Sequence, residues 1–532
     1  MEVFSEVSLT ETVRFAGFEE VAFLLFSVAL FWLVLLSPRF VKIRIAGISL
    51  FVVIFFSLIS ILSPKDKSKS VPAEIRLNPV LFLISDIVDH TRYKLIPQTQ
   101  NMNAPGGDEA GTRQIRNMGA AQIQRALFPP AQNVRPWNVV FFIMESVGTR
   151  YALNTGHGRS MPMPFLHKLS KEGWHLKKHY TTSNFSTKAI FSLLSGLYDF
   201  FERQPLGARQ EVQVPSIHTF LSKSHESFLV TPSSLAWYFP AAFVKNSGLI
   251  ELHSYETLNF KIKDEFHSLG HYIARDEIQT VDYFIQRLDT AREPFLGIYI
   301  SFAAHFPYFD YGPDYRIREE DGRLISRYDN NLNLLDQMIK HIYDHLQSPG
   351  QLSRTLFVIV GDHGQAFGQH HPDNYMHYRY SYNENLETPA ILYQPALFRP
   401  KTVEFSTSHV DLLPTVLDAL EIPYDPALLD GESLFRHPPG RRTIFSYGYE
   451  GSISSIDANH IKVQYSLKKK TCSAFNLKLD PGEENPLDCA AYPVQLEDLR
   501  RFAKNHDSSL VQYNDSVAQK KGYQKQRDLL FQ

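Results

Sequence analysis

Two kinds of apolar run divide the chain. Near its start, VAFLLFSVALFWLVLL (21–36) and IAGISLFVVIFFSLISIL (45–62) carry no charge. With their flanks, both reach the ~20 residues that cross a bilayer. From residue 136 onward the runs are short: NVVFFIM (138–144), SFLVT (227–231), FLGIYI (295–300), TLFVIV (355–360) and PAILYQ (389–394). Longer amphipathic stretches separate them, such as YDNNLNLLDQMIKHIYDHL (328–346). Buried parallel strands alternating with helices give this texture, so the pattern predicts an α/β fold. In such sheets the chemistry lies beyond the carboxyl ends of the strands.

The charges around the first two runs predict their orientation. Arg39, Lys42 and Arg44 lie between them, whereas Glu2, Glu6, Glu11, Glu19 and Glu20 precede the first against Arg14 alone. A transmembrane hairpin with its basic loop in the cytoplasm and both ends outside satisfies that asymmetry. Lys65, Lys67 and Lys69 pull weakly the other way. No basic leader precedes the first run, which argues against a cleaved signal peptide. The expected divisions are a membrane anchor (1–63), a connector (64–135), a catalytic core (136–438) and a C-terminal subdomain with a tail (439–532). The connector contains NPVLFLISDIVDHTRY (78–93), readable as an amphipathic helix, and the loop-like PQTQNMNAPGGDEAGT (97–112).

Composition adds little. A chain of 532 residues with 44% hydrophobic content can bury a large core. Its formal net charge of −2 gives no electrostatic case for nucleic acid as a partner. The 39 Phe and 26 Tyr suit a membrane interface or a lipid or sugar pocket, but an ordinary core is the better account of them.

Candidate chemistry gathers at the strand ends. Glu145 follows the first strand in FIMESVG, His305 follows the third in AAHFPYF, and Asp362 and His363 follow the fourth. Three strands thus deliver carboxylates and imidazoles to one end of the sheet. That donor set suits one divalent metal, Zn²⁺ or Mn²⁺, with a second possible. A nucleophile candidate stands in TTSNFSTKAIFSLLSGLY (181–198), where Ser186 opens a segment with helical apolar spacing. Ser186 reads either as an N-cap or as a hydroxyl placed at the positive end of a helix, where a phosphoryl or sulfuryl group binds.

The segments around Glu145, Ser186, His305 and Asp362–His363 resemble the sulfatase/alkaline phosphatase superfamily. SHVDLLPTVLDALEIP (408–423) is similar to that family's H-x-D-hydrophobic-x-P-T helix, and FNLKLDPGEENPLDC (475–489) to its DP-x-E-x-N segment. The resemblance covers about residues 136–490. It implies a metal-dependent enzyme built on a mixed sheet flanked by helices, with a small C-terminal antiparallel sheet. It also implies a covalent intermediate on Ser, Thr or formylglycine.

Sulfatases of this family carry a paired Asp-Asp after the first strand and C/S-x-P-S-R at the nucleophile. Here a single Glu145 replaces the pair, Lys188 stands where Pro belongs and Ile190 where Arg belongs. These departures argue against formylglycine. A lone Glu, an unmodified hydroxyl, an Asp-His pair and a membrane anchor resemble lipoteichoic acid synthases and the phosphoglycerol and phosphoethanolamine transferases, although those enzymes have more than two spans. The spacing from Ser186 to Gly196 matches theirs, with Thr187 as the second candidate.

On that resemblance, Glu145, Ser186, Asp362 and His363 hold the metal. Ser186 takes the head group from a membrane phospholipid, and His305 serves the phosphoryl oxygens or the leaving group. A glycan or lipid acceptor then receives the head group. His370, His371 and His377 are candidates for a second metal or the substrate, and Trp237 for the head-group pocket. The expected location is a bacterial-type inner membrane, with the catalytic domain outside the cytoplasm. A sulfatase-like hydrolase and a non-catalytic lipid-sensing regulator of the same fold are the alternatives. Cys472 and Cys489, the only cysteines, are expected to pair if that domain is extracytoplasmic.

Overall fold

The computed structural model describes residues 137–530, apart from 154–160, 202–213, 235–250, 261–273, 320, 349, 378–379, 437–441, 449–450 and 467–468. The two expected membrane spans, the connector and Trp237 lie outside the described residues. Among the described residues no helix is long and apolar enough to cross a membrane.

An eight-stranded sheet forms the centre. Its strands are β1 (Asn138–Met144), β2 (Trp174–Leu176), β3 (Glu226–Val230), β4 (Glu251–His253), β5 (Phe295–Ile300), β6 (Thr355–Gly361), β7 (Ala390–Tyr393) and β8 (Lys401–Val403), in spatial order β8-β2-β7-β6-β1-β5-β3-β4. β1, β5 and β6 are buried along their whole length, which is why they read as unbroken apolar runs. They pair in parallel, as expected. β7 does not follow that expectation: it runs antiparallel to both β6 and β2. A strand covered on both faces shows the same apolar run in either direction, so its sequence does not encode its sense.

Register places the chemistry. Met144 on β1 pairs with Gly361 on β6, so the next residues, Glu145 and Asp362, leave the sheet side by side. Gly361 is required by a close approach. A Cβ there would lie 2.2 Å from the Val147 carbonyl oxygen. Gly364 is similar, since a Cβ would lie 2.1 Å from the Glu384 carbonyl oxygen. A larger residue at Gly361 would push the Asp362–His363 turn away from the segment after β1, and one at Gly364 would push it away from Glu384.

Five helices matter below: α1 (Ser186–Ser195), α2 (Glu277–Thr290), α3 (Leu324–Gln347), α4 (Leu412–Ala419) and α5 (Pro493–Leu530). Every residue of α1 is buried, so it is a helix inside the protein rather than on its surface. It stops at Gly196, whose φ of 68° lies in the left-handed region that glycine enters at little cost. The Gly196 carbonyl accepts from the N–H groups of Asp430 and Gly431.

A four-stranded antiparallel sheet follows, comprising β9 (Ile444–Gly448), β10 (Ser452–Ile456), β11 (Ile461–Ser466) and β12 (Thr471–Asn476). α5 packs on it through Leu499 and Phe502, with the Phe502 ring stacked on Phe445 at 3.8 Å. Cys472 on β12 and Cys489 form a disulfide across a separation of 17 residues, as their spacing and the expected compartment had suggested. Lys462 and Glu483, both fully buried, pair at 2.7 Å within this region.

Candidate active site

Glu145, Asp362 and His363 are fully buried, and a ligand atom from each lies within 4.8 Å of the others. Ser146 organises the two carboxylates. Its backbone is in the left-handed region, with φ of 59°, held there as the Tyr328 hydroxyl donates to its carbonyl at 2.7 Å. From that position the Ser146 N–H donates to Asp362 Oδ1 at 2.8 Å, and its hydroxyl donates to Glu145 Oε1 at 2.9 Å. The other oxygens, Glu145 Oε2 and Asp362 Oδ2, are buried with no hydrogen-bond partner, Asp362 Oδ2 lying 3.4 Å from His363 Nε2. Buried, unsatisfied carboxylate oxygens are costly unless a cation neutralises them. These residues therefore fit a divalent metal.

The imidazole is oriented for the same purpose. His363 Nδ1 lies 3.0 Å from the Gly364 carbonyl, to which its N–H donates, so Nε2 faces the carboxylates. Without a metal the three groups share protons. Burial would lower the His363 pKa, but the Asp362 and Glu145 carboxylates raise it to about 9. Burial, then the Glu145 charge, pushes Asp362 well above the usual carboxylate range. Glu145 moves down, because the hydrogen bond and charge of His363 outweigh its own burial. A bound cation would take the place of the proton on His363.

Ser186 completes the group. Its hydroxyl donates to Glu145 Oε1 at 3.2 Å and lies 3.0 Å from His363 Nε2. It is not the helix cap. Phe185 holds the N-cap position and Ser186 is the first helical residue, so its side chain is available to the cluster. Thr187 is the next residue of the same buried turn. Lys188 points elsewhere. Its ammonium donates to the Phe200 carbonyl at 2.5 Å and lies 3.8 Å above the Tyr447 ring, on the side of the C-terminal sheet. Burial lowers its pKa to about 8.

Two of the remaining histidines reach this centre. The His377 ring stacks on His363 with centroids 4.1 Å apart, and its Nδ1 lies 2.9 Å from the Asn184 carbonyl. The His305 ring is 6.2 Å from His377, and its Nδ1 lies 2.6 Å from the Phe306 carbonyl. Burial pushes the pKa of both downward. His370 and His371 do not join the cluster. His370 Nδ1 contacts Glu484 at 2.6 Å, while His371 reaches the Gly482 carbonyl at 2.9 Å and stacks on Tyr382. Both face the C-terminal loop instead.

Sequence reasoning missed two supports. Ser146 is one, and a hydroxyl directly after a strand-end Glu was the available signal. The other is a buried pair, with His409 Nε2 2.7 Å from the Asp362 carbonyl and its Nδ1 2.9 Å from His179 Nε2. His409 lies in the SHVD segment, but nothing local showed that it reaches Asp362.

The sulfatase family model matches residues 137–422, more than half of the chain. The chain belongs to the sulfatase family. It is 28% identical over 157 residues to the uncharacterized sulfatase YdeN of Escherichia coli, covering 28% of each chain. It is 25% identical over 214 residues to an arylsulfatase of Clostridium perfringens, covering 38% of this chain and 44% of that one. The chain thus spans less than half the length of these curated relatives. Its fold is similar to the lipoteichoic acid synthase LtaP of Listeria monocytogenes, with a TM-score of 0.56 and 15% identity over 76% of this chain and 98% of that one. It is also similar to an alkaline phosphatase superfamily protein of Vibrio parahaemolyticus, with a TM-score of 0.54 and 16% identity over 79% and 97%. The family match and the fold agree with the motif resemblance to the sulfatase/alkaline phosphatase superfamily.

Proposed function

We propose that the protein is a membrane-anchored, metal-dependent transferase that moves a phosphoethanolamine or phosphoglycerol head group from a phospholipid to an envelope glycan or lipid. One observation carries this reading: the Ser186 hydroxyl lies against Glu145 and His363, beside carboxylate oxygens left open for a cation. Glu145, Asp362, His363 and the Ser186 oxygen would hold the metal, Zn²⁺ or Mn²⁺. Bound there, a divalent ion lowers the pKa of a coordinated hydroxyl and neutralises charge on the phosphoryl group.

The chain's own residues supply the rest. Ser186 Oγ attacks phosphorus, forming a Ser–O–P bond as the bond to diacylglycerol breaks. The acceptor hydroxyl then attacks the same phosphorus and releases Ser186. His305 presents Nε2, because its Nδ1–H is committed to the Phe306 carbonyl. Ser186 would lose its proton on binding the metal and so attack, and later leave, as the alkoxide; His305, protonated at the start, gives its proton to the departing diacylglycerol oxygen and regains one from the acceptor hydroxyl. His377, stacked on His363, is placed to contact the phosphoryl oxygens. The anchor, the extracytoplasmic location and the lipid and glycan partners belong to the same proposal. The two uncharged N-terminal runs and the disulfide support them.

The hydrolase reading, in which water replaces the acceptor, draws support from the arylsulfatase relative. The departures at Lys188 and Ile190 weigh against its sulfatase form. The complete ligand cluster weighs against a non-catalytic regulator. Full-length protein in vesicles of head-group-labelled phosphatidylethanolamine and phosphatidylglycerol, supplied with an envelope glycan fraction, separates the three. Label moving to the acceptor supports transfer. Label released to water with no acceptor product supports hydrolysis of phosphodiesters. Turnover of an aryl sulfate alone supports a sulfatase, and no turnover supports a regulator.

A further inference from the structure

Glu277 is a fully buried carboxyl that takes no part in the chemistry above. It is the first residue of α2, yet its side chain turns back to the sheet. One oxygen, Oε1, lies 2.8 Å from the Tyr299 hydroxyl on β5. The other, Oε2, accepts the Phe302 N–H at 3.0 Å. From α3, Asn331 Nδ2 donates to the Ala303 carbonyl at 2.7 Å. Two helices therefore grip consecutive residues of the segment that leaves β5.

That segment carries His305. The Phe302 ring stacks on the His305 imidazole with centroids 4.8 Å apart and planes 14° apart. The His305 N–H donates to the Phe302 carbonyl at 2.9 Å, closing the turn. A shift of Phe302 would move both the ring that supports the imidazole and the carbonyl that fixes its backbone. We propose that Glu277 and Asn331 are positioning residues for His305, holding the Phe302–Ala303 peptide so that the imidazole meets the reacting phosphoryl or sulfuryl group. The inference rests on the reading that His305 serves the reaction.

The chemistry of the site makes a conservative variant available. Burial raises the Glu277 pKa to about 8, against the lowering effect of its hydrogen bonds with Tyr299 and Phe302, so the neutral acid predominates at pH 7. Glutamine matches that acid in shape. Its oxygen can accept from Phe302 and its amide can donate to the Tyr299 oxygen.

A double-mutant cycle on the full-length protein tests the proposal. Glu277→Ala and Asn331→Ala are each made with His305 present and in a His305→Ala background, and Glu277→Gln is made alone. Rates are measured on labelled phospholipid vesicles and on an aryl sulfate, with a melting curve for every variant. With His305 present, each alanine variant should lower kcat about tenfold or more with KM nearly unchanged, the scale expected of a misplaced catalytic group. Glu277→Gln should stay within about threefold of the parent, since it keeps both contacts. In the His305→Ala background neither alanine substitution should lower kcat further. Equal losses in both backgrounds would assign Glu277 and Asn331 a merely structural role and overturn the inference alone, as would full activity of both alanine variants. An unaffected His305→Ala rate, or no turnover by the parent protein, would overturn the reading of the site and the inference together. If Glu277→Ala does not fold, Asn331→Ala carries the same test.

Discussion

The Ser186 hydroxyl oxygen lies 3.0 Å from His363 Nε2, although the two residues are 177 positions apart in the chain. The contact needs three things at once. β6 must lie beside β1 in the register that brings out Asp362 and Glu145 together. Gly364 must let the turn after β6 approach the Glu384 carbonyl. The first turn of α1 must face the same strand ends. The sheet thus assembles a hydroxyl, two carboxylates and an imidazole from three remote segments, and their energetics make a cation the natural occupant.

Metal content should respond to single atoms. Asp362→Asn and His363→Ala should lower both bound metal, measured by elemental analysis, and turnover, because each removes a donor from a small set. Ser146→Ala is subtler. It removes only the hydroxyl that steadies Glu145 Oε1, so metal affinity should fall about 10–100-fold while the fold survives. Unchanged affinity in Ser146→Ala would mean that Glu145 does not depend on this hydrogen bond.

Chelation should destabilise the protein reversibly. A ligand present at 100 times its Kd adds about 2.7 kcal/mol to the folded state. Stripping the metal should therefore lower the melting temperature, and re-adding Zn²⁺ or Mn²⁺ should restore it together with activity. A melting temperature indifferent to both treatments would argue against a resident metal at Glu145, Asp362 and His363.

Acid should weaken the fold through His218, in the buried helix Ile217–Leu221. Burial lowers its pKa from 6.5 to about 3. As pH falls below 6.5 the unfolded chain takes up a proton that the folded protein refuses, so stability drops across the window from 6.5 down to about 3. The slope from one such group is at most about 1.4 kcal/mol per pH unit. His218→Leu should remove it, so the stability difference between parent and variant should shrink or reverse as pH falls. Parallel stability curves from pH 6.5 to 4 would contradict this. Metal loss in acid affects both proteins alike and cancels in the comparison.

The disulfide makes a separate prediction. Closing a loop of this size contributes about 3 kcal/mol by restricting the unfolded chain. Cys472→Ser with Cys489→Ser should lower unfolding free energy by that order, with the effect read from denaturant midpoints. Thiol labelling of denatured, unreduced protein taken from membranes should find no free cysteine before reduction and two after. Two free thiols before reduction would remove the bridge and weaken the extracytoplasmic placement.

Much of the site was legible because strand ends are legible. Glu145, Asp362 and His363 each follow an apolar run directly, and a polar residue there must face a cleft or find a partner. Ser186 was visible as a helix start, but its local sequence did not separate a cap from a nucleophile. The structure puts Phe185 at the cap and the Ser186 hydroxyl 3.0 Å from His363 Nε2, which leaves the nucleophile as the role proposed for it. The antiparallel sense of β7 was hidden, since burial on both faces erases direction. His409 and Glu277 were invisible as supports, because each acts on a residue brought near by tertiary packing alone, whereas Ser146 was signalled only by its place directly after Glu145. His370 and His371 were candidates for a second metal or the substrate, yet the C-terminal loop around Gly482–Glu484 takes them up.

The central claim is that Ser186 carries the transferred group, and peptide mass spectrometry tests it most directly. Full-length protein in membranes is incubated with donor phospholipid in the absence of acceptor, quenched in acid and digested. The account predicts a head-group phosphoryl adduct on Ser186, absent from Ser186→Ala and discharged when acceptor is added before quenching. An adduct on Thr187 would move the nucleophile by one residue. Unmodified Ser186 and Thr187 in a protein that is turning over its substrate would contradict the covalent mechanism.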